Sequence, residues 1–83
     1  MSIEIKLFGF GDDRPAQFNG KNSLQLDIET PASPLKLLRE VGIEDTTGLI
    51  LMNADRVIPF EQWHESIIQD QTTLTIMSAF EGG

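Results

Sequence analysis

The sequence predicts an α+β fold, a mixed sheet of about five strands packed on one helix. Three observations predict it. Apolar residues alternate with polar ones at 3–7, 24–28 and 73–77, the period of half-buried strands. Only one stretch carries a helical stripe: Pro34, Leu37, Leu38 and Val41 recur at i, i+3, i+4 and i+7. The order strand, strand, helix, strand, strand, strand holds no repeat, low-complexity tract or linker, so residues 1–83 read as a single domain. A helix with one stripe must cover something, and only the strands supply that face.

The first strand places Ile3, Ile5 and Leu7 on one side and Glu4 and Lys6 on the other. The stretch "GFGDDRPAQFNGKN" at 9–22 has three glycines and a proline and reads as a long irregular hairpin loop. In "SLQLDIE" Leu24, Leu26 and Ile28 face inward. The helix is punctuated by Ser33 as a cap, Pro34 at the first helical position and Gly42 at the stop. Apolar on both faces, "GLILMN" predicts a strand with little exposure. Asn53, Ala54 and Asp55 turn the chain into a short strand at 56–58, which Pro59 ends. "FEQWHESIIQDQT" is a crossover with room for a helical turn, anchored by Phe60, Trp63, Ile67 and Ile68. The last strand, 73–77, turns Leu74 and Ile76 inward and leaves a flexible tail at 78–83.

Thirteen acidic against six basic residues, a net charge of −7, cannot neutralise a line of phosphates, which argues against nucleic acid. The same balance favours a partner with a basic docking surface. With no cysteine there is no disulfide framework, thiolate nucleophile or Cys-ligated metal. The longest aliphatic run, "LILM" at 49–52, is far short of a membrane span, and "MSIEIKLF" is no signal peptide, so the expected compartment is the cytoplasm.

Catalytic groups are sparse. His64 adjoins Glu65, but neighbours on an exposed crossover point apart. Asp12 and Asp13 lack the further oxygens that a calcium site needs, so no metal ligands are assigned. Gly9 and Gly11 begin no phosphate loop, because no Lys-Ser/Thr follows. Trp63 reads as a cap over a small core. No catalytic residue is assigned. Gly82-Gly83 is different: without Cβ atoms, two glycines can thread a channel too narrow for other residues and deliver a carboxylate to a partner's site.

These features resemble the ThiS/MoaD family of ubiquitin-like sulfur carriers, whose fold is the β-grasp. The likeness covers most of the chain and is strongest in the C-terminal half. "LILMNADRVIPFEQW" is similar to the family's third and fourth strands, with Glu61-Gln62-Trp63 especially like the thiazole-pathway (ThiS) branch. Ile67, Ile68 and Asp70 resemble the lead into the last strand, and Gly82-Gly83 matches the functional end. Where the family usually has a Gly-Asp turn, this chain has "QDQT" at 69–72. Its loop at 9–22 is more like the molybdopterin (MoaD) branch.

The resemblance implies a protein co-substrate rather than an enzyme, with no bound cofactor and ATP used by the partner. An E1-like adenylyltransferase (ThiF/MoeB-like) would activate Gly83, and a sulfurtransferase would supply sulfur as a thiocarboxylate. Thiazole synthase or the molybdopterin synthase large subunit would then consume it. Gly82, Glu81 and Phe80 would thread and seat the tail, while Phe8 and Met77, both off the inward register, are candidates for partner docking. Two other readings stand beside this one: a ubiquitin-like modifier joined through Gly83 to target lysines, and a passive β-grasp interaction module in which the two glycines have no role.

Overall fold

In the computed structural model, which describes residues 1–78, five strands form one mixed sheet and a single α-helix accompanies it. The strands are β1 (Ser2–Phe8), β2 (Ser23–Asp27), β3 (Leu49–Asn53), β4 (Arg56–Val57) and β5 (Thr73–Ser78), and the helix is α1 (Pro34–Glu40). Their spatial order is β2-β1-β5-β3-β4. β1 and β5 run parallel, and the other three pairings are antiparallel.

β1 and β5 hold the centre because their inward rows are wholly aliphatic. Ile5 pairs with Leu74 and Leu7 with Ile76, and Leu51 of β3 pairs with Ile76 from the other side. All five are buried, as is Ile3. Leu24 and Leu26 of β2 pair with Ile5 and Ile3, continue this row towards the sheet edge and are half-buried there. Register is specified strongly, because a one-residue slip of any strand would turn its apolar set to the opposite face.

The helix is built as its sequence predicts. Ser33 Oγ accepts the Lys36 N–H at 3.1 Å, Pro34 opens the first turn, and Gly42 stops the helix at φ +89°. Pro34, Leu37, Leu38 and Val41 are all buried. Trp63 closes the core at 4% exposure, with its indole N–H donating to the Ile58 carbonyl at 3.0 Å. Its backbone carbonyl accepts the Leu35 N–H, tying the crossover to the helix. Ile68 is buried and exchanges backbone hydrogen bonds with Ala32.

Three sequence expectations need correction. The strand in "GLILMN" is not shielded on both faces: Leu51 is fully buried, yet Ile50 is 41% exposed, because the single helix leaves the other face of the sheet open. Phe60 does not anchor the crossover. It is 68% exposed and meets Trp63 edge-on, with ring centroids 4.9 Å apart. The loop at 9–22 contains two 3-10 turns, Gly11–Asp13 and Ala16–Phe18, and it sends Phe18 into the core. A 3-10 turn at Phe60–Gln62 supplies the helical turn expected in the crossover.

The turn before β5 carries local strain. Gln71 sits at φ +64°, the left-handed region that favours glycine, while its N–H donates to the Ser2 carbonyl at 2.7 Å. Gln71→Gly should therefore stabilise the protein by up to about 1 kcal/mol, the relief of strain being partly offset by added chain entropy. Leu37→Ala should cost about 2–5 kcal/mol by opening a cavity under the helix. Urea denaturation followed by circular dichroism measures both.

Candidate functional site

Strand pairing determines which side chains share the face that α1 does not cover. Phe8 pairs with Met77 and Met77 with Ile50, forming one row across β1, β5 and β3. The next row is Ser23, Lys6, Thr75, Met52 and Val57. Beyond it lie Gln25, Glu4 and Thr73, and then Asp27 and Ser2. This face is thus divided along the strands, apolar towards the ends of β1 and β5 and polar towards their beginnings.

The apolar part is exposed. Phe8, Ile50 and Val57 are 56%, 41% and 62% exposed, with Met77 and Met52 half-buried between them. Isolated exposed apolar residues are ordinary, but five contiguous ones on a sheet face form a surface suited to a protein partner. Methionine suits such a surface because its unbranched side chain adapts to irregular contacts.

Phe8 and Met77, the two docking candidates, are register partners in adjoining strands. Ile50, Met52 and Val57 escaped sequence reasoning. In "LILM" both parities are apolar, so the pattern cannot say which residues face the core; the pairing of Leu51 with Ile76 decides it. The expected tail begins at Ser78, which the structure places at the end of β5, paired with Leu49. Phe80, Glu81, Gly82 and Gly83 lie outside the described residues.

Two cavities flank the end of the sheet that carries Phe8. One, of about 420 Å³, is lined by Lys6, Phe8, Phe10, Arg14 and Asn22 among others. Arg14 donates from its guanidinium to Asn22 Oδ1 at 2.8 Å. The other is an open groove of about 850 Å³ lined by Asp12, Asp13, Glu44, Asp45 and Ser78, among others. There the Asp45 carboxylate accepts the Thr47 backbone N–H at 3.0 Å, and hydrogen bonding to Thr47 holds its pKa below the usual aspartate value. Among the described residues no group of three or more His, Cys, Asp or Glu side chains is placed to hold a metal ion. His64 and Glu65 are exposed. No helix among the described residues is long and apolar enough to cross a membrane.

The exposed part of the outer face is apolar contact area. Phe8→Ser combined with Ile50→Ser should change folding stability by less than about 2 kcal/mol in total, since each exposed strand substitution spans about 1 kcal/mol. The same pair should markedly reduce fluorescence of a hydrophobic dye such as ANS in the native protein. Unchanged dye binding would mean that the apolar surface lies elsewhere.

The chain matches no protein-family model and no curated protein.

Proposed function

We propose that this chain is a β-grasp sulfur carrier of the ThiS/MoaD type, a protein co-substrate that delivers sulfur as a C-terminal thiocarboxylate. The observation that carries this reading is the position of β5. It lies between β1 and β3 at the centre of the sheet, and Met77 shares the exposed apolar row with Phe8 and Ile50. Ser78, the last described residue before Gly82-Gly83 in the sequence, therefore follows directly on the apolar row. Gly83 is five residues beyond Ser78, which gives the carboxylate a reach of at most roughly 17 Å. A partner seated on the apolar face has the glycines within reach of its own site.

The α+β architecture supports the β-grasp assignment: one helix, five strands and a parallel central pair. In this reading the Gly83 carboxylate oxygen attacks the α-phosphorus of ATP in an E1-like adenylyltransferase, and pyrophosphate leaves. A carboxylate resists nucleophiles until its oxygen becomes a leaving group, and the acyl-adenylate supplies one. A sulfurtransferase persulfide then displaces AMP to give an acyl disulfide on Gly83, and a second thiol of the partner cleaves the S–S bond, leaving the thiocarboxylate on Gly83 and a disulfide on the partner. Thiazole synthase or the molybdopterin synthase large subunit is the acceptor. Gly82 allows close approach of the partner, while Phe80 and Glu81 seat the tail. Reactions of this kind belong in the cytoplasm, where ATP is abundant.

Incubation with an E1-like adenylyltransferase, ATP and a sulfur source should replace one oxygen of Gly83 by sulfur, a change visible by intact-protein mass spectrometry. Deleting Gly83 should abolish it. If the unaltered protein never gains that mass while a known carrier does, the reading fails. Adducts on lysines of other proteins that need Gly83 would instead support the modifier reading.

A further inference from the structure

The net charge of −7 favours a basic partner, yet one of the two cavities beside the apolar face is lined by basic side chains and by no carboxylate, while the other is acidic. Lys6 lies in the row next to Phe8 on the same face, and both line the cavity that also contains Arg14. The sequence has only six basic residues, so two of them around one small cavity is a local reversal of the protein's character. Asp12 and Asp13, which adjoin Arg14 in sequence, line the other groove rather than this cavity.

The two cations are available to a partner. Among the described residues the only ion pair joins the Met1 ammonium to Asp27, at 2.9 Å. Glu4, the carboxylate nearest Lys6 along β1, accepts the Thr73 hydroxyl at 3.2 Å. Arg14 bonds only one acceptor, Asn22 Oδ1, so its planar fork keeps donors for a carboxylate. Lys6 is exposed at the lip of the cavity and Arg14 is half-buried in it.

We propose that the adenylyltransferase docks with an apolar surface over Phe8, Met77 and Ile50 and places one or more carboxylates at the Lys6–Arg14 cavity. The identity of this occupant rests on the sulfur-carrier reading; its acidic character rests on the charge and geometry of the cavity. The pairing sets the register of docking, while the apolar row supplies contact area. The −7 net charge acts at longer range and is screened by salt, whereas charges enclosed in the interface are screened far less.

A sign test separates local from global charge. Binding of the full chain to its E1-like adenylyltransferase is measured by calorimetry, and adenylation by pyrophosphate release. Lys6→Glu and Arg14→Glu should each weaken binding about tenfold, and Arg14→Lys, which keeps the charge but loses the planar fork, should weaken it by less than Arg14→Glu does. Asp12→Lys, on the other groove, should change it less than about threefold. If a charge reversal disturbs folding, Lys6→Gln and Arg14→Gln should give the same direction of change with a smaller effect. Should the reversals tighten binding, or leave it unchanged while the unaltered protein is adenylated, the proposed acidic contact is overturned and the carrier reading stands. If the unaltered protein is neither bound nor adenylated, both fall.

Discussion

The fold depends on one fused aliphatic row. Ile5 and Leu7 of β1 meet Leu74 and Ile76 of β5, and Leu51 of β3 extends the row, with the stripe of α1 among the residues that bury it. This contact joins the first strand of the chain to the last, so the sheet centre exists only once both ends have been brought together. The parallel pairing follows, since β5 must arrive by a long crossover instead of a tight turn. Trp63 and Ile68 are the points at which that crossover is held to the helix and the core.

The same constraint shapes the exposed surface. One helix can cover one face of a five-stranded sheet, and its short apolar stripe is fully used there. The opposite face is left open, with Phe8, Met77, Ile50, Met52 and Val57 at one end and polar residues at the other. They run from β1 across β5 and β3 to the β4 edge, away from the β2 edge, and form one continuous apolar surface. The proposed carrier function needs such a platform beside the departure of β5.

Charge adds a second layer. A uniformly acidic protein would be repelled by any acidic partner at every orientation. Here Lys6 and Arg14 line a cavity next to Phe8, while Asp12, Asp13, Glu44 and Asp45 line a separate groove. Two neighbouring regions of opposite sign distinguish orientations that an apolar patch alone leaves nearly equal in energy.

Most of the fold was legible from local patterns. The helix stripe, the Ser33 cap, the Gly42 stop and the inward residues of β1 and β5 were all read from spacing, because each depends on near neighbours in the chain. Phe8 and Met77 were likewise placed on the outer face by parity with buried neighbours. What the tertiary structure decided was everything that depends on partners distant in sequence. "LILM" is apolar at both parities, so only pairing with β5 could choose Leu51 for the core and leave Ile50 and Met52 to the outer face. Phe18 entered the core from a loop with no periodicity, and Phe60 stayed outside despite its size. Lys6 and Arg14 came to share one cavity for the same reason. Periodicity reports which way a side chain points relative to its neighbours; only long-range contacts determine what it meets.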